Sequence, residues 1–395
     1  MSRSFIGSEA HRIAEIIEYL SAKGEFRYNI VTGKIEYRDK DTSEFKDLDD
    51  YYLNSLSREL GQANIKCSPG QLDNVLRSDI TPRYDPFKEY LQGLPRWDGE
   101  TDYIEMLSET VETTNTTFWR LCLKRWMVAM VGSLVDENVV NHTVLILVGP
   151  QGSGKTTWID RLVPYQLRKN HYYSGIINLG SKDTIIMLSE SMLINLEELS
   201  SLTDRQLNEL KEIITKKHIR LRRPYGRENE TLPRRASFTG STNDQKILSD
   251  TTGSRRFLVF DASRIKYQHS VDINMVYSQA IHLYRQGFKF WFDNSEIQTI
   301  TKNNEQYRAK SVEESLLIQS FTPTNKEEAT DFLTATEILL ELNRRYNIPI
   351  SNATKQKLGK ALRIHNFQRI KMEGKYVYVL RDNEQRAASK IRRIS

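Results

Sequence analysis

The stretch from Gly149 to Thr157 reads GPQGSGKTT, with glycines at 149, 152 and 154, a lysine at 155 and hydroxyls at 156 and 157. Glycines let consecutive backbone N–H groups close around anionic oxygens, and a lysine adds a point charge. That chemistry suits a polyphosphate, with Lys155 reaching the β- and γ-phosphates and the Thr156 hydroxyl placed to ligate Mg²⁺. The expected cofactors are ATP and Mg²⁺, and the expected cradle is Gly149, Pro150, Gln151, Gly152, Ser153, Gly154, Lys155, Thr156 and Thr157. Such a pattern carries weight only between a strand and a helix. Here the apolar run VLILV precedes it and a helical segment follows.

A phosphate loop does not separate kinases from GTPases or motors, so the downstream residues must decide. MLINLEELSSL gives an apolar strand ending in Glu197 and Glu198, which matches a Walker B pair. One carboxylate, Glu197, holds Mg²⁺ through water in this reading, and Glu198 orients or deprotonates the attacking water. ASFTGSTND then delivers Thr242 and Asn243 to a strand end, where an amide can sense the γ-phosphate; an Asn there also serves as an ordinary turn residue. DTTGSRRFLVF places Arg255 and Arg256 at the mouth of another strand. Paired guanidiniums there suit a finger that reaches a neighbouring subunit's nucleotide, or else a surface ion pair. A small-molecule kinase has no use for such a finger.

Residues 216 to 235 hold eight Lys or Arg against two Glu, a surplus equal to the whole chain's formal charge of +6. HIRLRR alternates as a strand does and PYGREN supplies turn residues, so a β-hairpin is expected. It would expose Lys216, Lys217, Arg220, Arg222, Arg223 and Arg227 to the phosphates of a nucleic-acid strand, with Tyr225 stacking on a base. The plainer reading is a solvated charged hairpin that favours solubility.

These residues need elements to hold them. Apolar segments at 144 to 148, MLINL, ASFTGS and RRFLVF alternate with helical stretches, which indicates an α/β core with a central parallel sheet. Ahead of it, a helix, two strands about Thr32-Gly33 and two further helices suggest a small helical or winged module. The second of those helices carries a capping box from Ser68 to Gln71. After it, helices at TATEILLELNRRY and NATKQKLGKALRIH precede a hairpin about Glu373-Gly374, a winged-helix pattern. The expected domains are 1–93, 94–325 and 326–395. Lys355, Lys357, Lys360 and Arg363 would suit the second of those helices to duplex DNA, and a structural or oligomer-contact role suits it equally. Trp97 reads as a packing anchor. Two cysteines form neither a disulfide framework nor a zinc site, and no apolar run is long enough to span a bilayer, so a cytoplasmic protein is expected.

The series LPRWDGE, GPQGSGKTT, INLEELS, RPYGR, RRASFTGSTN and LSDTTGSRRF resembles superfamily 3 helicases, a branch of the AAA+ ATPases, and within them the virulence-associated protein E family of phage and mobile-element ATPases. The resemblance implies an AAA+ P-loop core and catalytic roles for Lys155, Glu197, Glu198, Asn243 and Arg255 or Arg256. It also implies a ring-shaped homo-oligomer, hexameric by analogy, that moves 3′ to 5′ along single-stranded DNA held in a central channel by the basic hairpin. Glu197 departs from the more usual Asp. Many relatives carry a primase, which 93 residues cannot hold, so primer synthesis is expected from a separate protein. The alternative is a nucleotide-switched origin-binding or assembly ATPase that does not unwind.

Overall fold

A computed structural model describes residues 2–223, 228–248 and 253–384. The chain falls into two compact units, Met1–Gln245 with Thr252–Gln306, and Lys246–Thr251 with Tyr307–Ser395.

The first unit begins with α1 (Ser2–Lys23), β1 (Gly24–Asn29), β2 (Lys34–Asp39), β3 (Lys46–Asp47), α2 (Asp50–Gln62), α3 (Pro69–Leu76), β4 (Arg83–Tyr84) and α4 (Pro86–Gln92). The strands form one sheet in the order β3-β2-β1-β4, and β1 and β2 pair antiparallel from Asn29↔Lys34 outward, about the expected turn. The Ser68 hydroxyl and Gln71 side chain cap α3 reciprocally, as that spacing predicts. Leucines 56, 60, 72 and 76 with Ile16 and Leu20 close a small core of their own.

Next come α5 (Tyr103–Ser108), β5 (Val111–Thr113), α6 (Thr116–Val135), β6 (Val144–Val148), α7 (Lys155–Arg161), α8 (Tyr165–His171), β7 (Tyr172–Gly175), α9 (Lys182–Glu190), β8 (Leu193–Glu197) and α10 (Asp204–Thr215). The chain then runs through β9 (His218–Leu221), β10 (Glu230–Pro233), β11 (Ser237–Thr242), β12 (Phe257–Ile265), α11 (Ile273–Arg285) and α12 (Asn294–Asn304). The six-stranded sheet has the order β5-β12-β6-β11-β8-β7, and all its pairings are parallel except β12 with the edge strand β5. Every residue of β6 and β11 is buried. That accounts for their unbroken apolar or small-residue runs, since a strand covered on both faces has no solvent side to show. α6 is buried around most of its surface, and its Trp119 and Trp126 join Trp158 of α7 in the largest core cluster.

The second unit holds α13 (Val312–Ser320), β13 (Phe321–Pro323), β14 (Asp331–Leu333), α14 (Ala335–Tyr346), α15 (Asn352–Ile364), β15 (Arg369–Met372) and β16 (Lys375–Asp382). The last two strands pair antiparallel about Glu373 and Gly374, both at positive φ as a tight hairpin requires. Leu317, Ile338, Leu342, Leu358 and Leu362 fill its core. Leu248 belongs to this unit: its N–H donates to Tyr307 O at 3.1 Å, and Ala309 N–H donates to Leu248 O at 2.8 Å. Among the described residues no helix is long and apolar enough to cross a membrane, and both cysteines are free thiols.

Candidate functional site

Register decides which residues meet. Val148 of β6 lies beside Thr242 of β11, and Ser241 of β11 lies beside Glu197 of β8. The chain therefore leaves all three strands at one carboxyl edge, bringing Gly149, Asn243 and Glu198 to neighbouring positions. In parallel α/β sheets this edge is where ligands bind.

The loop from Gly149 to Gly154 turns through two left-handed glycines, Gly152 at φ 76° and Gly154 at φ 86°. A Cβ on Gly149 would stand 2.8 Å from Ala262 O, and one on Gly154 would stand 2.3 Å from the Tyr267 ring, so neither position admits a side chain. Lys155 is buried, and its ammonium donates to Gly149 O and Pro150 O at 2.7 Å each, to Asn243 Oδ1 at 2.9 Å and to Ser153 Oγ at 3.4 Å. All four acceptors are neutral, and burial pulls the lysine pKa below its ordinary value. A buried ammonium held by carbonyl dipoles inside an N–H-lined loop fits an anion, as a polyphosphate requires.

The carboxylates follow from β8. Glu197 Oε1 accepts from Ser174 Oγ at 2.9 Å, Ser174 Oγ accepts from Asn195 Nδ2 at 2.9 Å, and Asn195 Oδ1 accepts from Thr239 Oγ1 at 3.2 Å. This buried polar chain fixes Glu197 from beneath. Sequence reasoning missed Ser174 and Asn195. The available signal was the Asn inside an apolar strand, because a fully buried amide must find partners. Glu198 is exposed and sits at φ 52°, ψ 42°, a left-handed backbone that costs a non-glycine residue of order 1–3 kcal/mol. Its carbonyl accepts from both the N–H and the hydroxyl of Ser201 at 2.8 Å, which holds the turn. The Thr156 hydroxyl lies 3.4 Å from Ser241 Oγ on the sensor strand. Among the described residues no group of three or more His, Cys, Asp or Glu gathers to hold a metal. The donor set fits Mg²⁺ brought with phosphates, since that ion typically takes one or two protein groups and substrate oxygens.

Arg255 and Arg256 lie at the opposite edge. They form a short turn ahead of β12, whose Phe257 pairs with Val144, the first residue of β6. Five strand residues separate that level from the loop end, about 16 Å of rise. Asn304 Nδ2 donates to Ser254 O and Phe257 O at 2.8 Å each, which fixes the turn. Arg255 is exposed, while Arg256 is half-buried and has its pKa lowered by burial and then by Arg255. The structure does not bring the pair to the Gly149 edge of its own sheet.

The hairpin forms as β9 and β10, paired antiparallel from Leu221↔Glu230 to His218↔Pro233. Lys216, Lys217, Arg220 and Arg222 are exposed. Tyr225 and Arg227 lie outside the described residues. Arg223 departs from its expected place on a nucleic-acid face. Its side chain is 11 % exposed and donates to Glu190 Oε1 at 2.9 Å, to Glu230 Oε2 at 3.3 Å and to Val31 O at 2.8 Å, tying the turn end of the hairpin to the β1–β2 turn. Two opposed carboxylates and a carbonyl satisfy a guanidinium better than solvent-exposed phosphates would, so it turns inward.

Two more cations of the basic run are internal. Arg234, fully buried, donates to Lys216 O at 3.0 Å, Ile214 O at 2.9 Å, Asn141 O at 2.8 Å and Ala236 O, and burial lowers its pKa to about 9. The carbonyls at the end of α10 carry the negative pole of that helix, which suits a cation. Arg235 sits 3.0 Å from Asp85, the cap of α4, and also donates to Leu134 O at 2.8 Å. Trp97 packs edge-on against His282 and donates to Thr101 O at 2.7 Å, an anchor as expected.

One comparison with known proteins shows a family. Residues 91–309 match the model described as the virulence-associated protein E-like domain. No curated protein matches the chain. Among solved structures, the apo structure of the NrS-1 C-terminal region aligns over 93 % of this chain and 98 % of that one, at 13 % identity and a TM-score of 0.50. Two A-form apo structures of the same region also cover 93 % of this chain, with 99 % and 98 % of theirs, at 14 % identity and TM-scores of 0.46 and 0.47. At such identity the likeness concerns the fold alone: a mixed α/β chain with several sheets.

Proposed function

We propose, from the premise that this chain belongs to the virulence-associated protein E-like domain family, that it is an ATP-dependent DNA motor of phage or mobile-element replication. The observation that carries the reading is the meeting of Lys155 and Asn243 at 2.9 Å inside a glycine cradle, on the sheet edge that also presents Glu197 and Glu198. Numbered from β6 in chain order, the five parallel strands lie in the order 5-1-4-3-2, which supports an AAA+ P-loop core of superfamily 3 type. The last unit, with its α14–α15 pair and β15–β16 hairpin, supports a winged-helix reading and duplex DNA as a second partner.

In this reading the cradle N–H groups and Lys155 bind and orient the triphosphate. Mg²⁺, when bound through Thr156 and a water on Glu197, neutralises charge on the phosphate oxygens. Glu198 takes the proton of the attacking water, and Asn243 orients that water while holding Lys155. Arg255 and Arg256, about 16 Å from their own loop, serve the neighbouring subunit's nucleotide in a ring of identical chains, hexameric by analogy. Exposed Lys216, Lys217, Arg220 and Arg222 grip single-stranded DNA by its phosphates, without reading sequence.

A second reading, an origin-binding or assembly ATPase switched by nucleotide without unwinding, draws on one observation. Arg223 ties the turn end of the hairpin to the β1–β2 turn and Arg234 ties its root to α10, which restricts its travel. The first test of the shared chemistry is ATP turnover by the full chain with and without single-stranded DNA. Turnover stimulated by DNA and lost by at least about a hundredfold in Lys155→Ala is expected. Equal turnover in the variant would remove the catalytic assignment.

A further inference from the structure

Beside the phosphate cradle lies a cavity of about 540 Å³ that none of the residues above occupies. One side is Met106 of α5 with Glu109 and Thr110 just after it, and the other is Ile265 to Val271, the end of β12 and its connection to α11. Its volume falls in the range of small-ligand pockets. Tyr267 belongs to both places: it lines the cavity, and its ring packs so closely on Gly154 that no Cβ fits there. The wall is braced to the loop's own helix at two points. Arg161 of α7 donates to Tyr267 O at 2.6 Å, and Trp158 of α7 donates through Nε1 to Thr110 Oγ1 at 2.7 Å. Lys266 N–H donates to Thr110 O at 2.8 Å and clips the two sides together.

The interior has the chemistry of a base site. Tyr267 offers a flat aromatic face, 37 % exposed, and Met106, Ile265 and Val271 add apolar wall. His269 presents two ring nitrogens that are shut from solvent and have no hydrogen-bond partner among the described residues. A buried polar group left unpaired is costly, so such a group in a native fold calls for an explanation. Burial, and then the Arg161 charge, push the imidazole pKa down, which keeps the ring neutral with one donor and one acceptor nitrogen.

We infer that this cavity receives the purine base of the nucleoside triphosphate whose phosphates enter the Gly149–Thr157 cradle, with Tyr267 as stacking platform and His269, once its ring turns to bring a nitrogen to the cavity surface, as the hydrogen-bonding partner of the base edge. The inference rests on the nucleotide reading above and adds the part of the ligand that the phosphate loop does not touch. A tyrosine shared between cradle and cavity sets the base site next to the loop, with the ribose left to span the step to the phosphates. The larger π-face of a purine gains more from that platform than a pyrimidine does.

The test is calorimetric affinity of the full chain for ATP, CTP and inorganic tripolyphosphate, which keeps the cradle's ligand and lacks a base. Tyr267→Ala is expected to weaken ATP about tenfold and tripolyphosphate less than about twofold. Tyr267→Phe retains ATP affinity, because the ring face remains. His269→Ala narrows the preference for ATP over CTP. Equal losses for ATP and tripolyphosphate in Tyr267→Ala would mean that the ring only shapes the loop, and unchanged ATP affinity would mean that the base lies elsewhere; either overturns the inference. Should Tyr267→Ala fail to fold, the Tyr267→Phe and His269→Ala results decide, with an unaltered ATP to CTP ratio in the latter counting against it. A chain that binds ATP through the cavity yet never hydrolyses it overturns the motor reading alone. A chain that hydrolyses ATP while Tyr267→Ala binds it normally overturns the base site alone.

Discussion

Glu190 shows how a single side chain can tie distant parts of this chain together. It ends α9, its carboxylate accepts from Arg223, and its carbonyl lies 2.6 Å from His171 Nδ1. Burial raises its pKa to about 7 against the opposing pull of the Arg223 charge. Between the unfolded value of 4.5 and about 7 the folded chain holds more protons than the unfolded one. The stability contributed by Glu190 is therefore complete below the unfolded value and is lost as pH rises through about 7. Glu190→Gln has no such titration, so its deficit against the unmodified chain should be larger at about pH 5 than at about pH 8 in urea denaturation. A deficit that grows with pH would mean that Arg223 keeps the carboxylate ionised throughout. At this scale the loop from Gly149 to Lys155 was legible because its left-handed turns demand glycines at fixed spacing. Ser174 and Asn195 were not, since a buried polar chain is assembled across strands and leaves only one odd amide in the sequence.

The basic hairpin separates what a charge count reveals from what folding does with it. Alternation in HIRLRR and the turn residues of PYGREN marked β9 and β10 correctly as a hairpin. The count of eight cations overstated the surface they share, because Arg223, Arg234 and Arg235 are turned inward. Their partners, Val31, Asn141, Asp85 and Leu134, lie up to 192 residues away in the chain, so no local pattern points to them. A division of labour follows. Replacing exposed Lys217 and Arg220 by alanine should weaken single-stranded DNA binding and reduce the slope of log affinity against log salt by about 0.7 for each lost phosphate contact. Arg223→Ala should leave that slope in place and lower stability, since it strands Glu190 beside a buried turn. Titrations of a fluorescent oligonucleotide at several salt concentrations measure both. A slope that falls with Arg223→Ala alone would return that residue to the DNA face.

At the scale of the molecule, the two edges of one sheet set the logic of an assembly. The carboxyl edge carries the cradle, Glu197, Glu198 and Asn243, while the far edge carries Arg255 and Arg256. A single chain cannot close both on one nucleotide, so the proposed role of Arg255 and Arg256 requires a second copy of the chain. Between the two in the chain, Leu248 belongs to the second unit and is hydrogen-bonded there to Tyr307 and Ala309. Buried Arg308 of that unit, the bridge partner of Leu248, pairs with Glu314 at 2.5 Å, and Glu314 with His365 at the end of α15 at 2.8 Å. The alternation of strands and helices made the sheet legible in advance. The pairing of Leu248 with Tyr307 and Ala309 was not, because backbone hydrogen bonds between distant loops leave no mark on residue types. The measurement that bears most directly on the motor reading is ATP-driven displacement of one strand from a forked DNA duplex, with Lys155→Ala as control. A motor separates the strands only with hydrolysable ATP and only in the unmodified chain. ATP turnover that is stimulated by DNA but accompanied by no displacement would contradict it and leave the nucleotide switch.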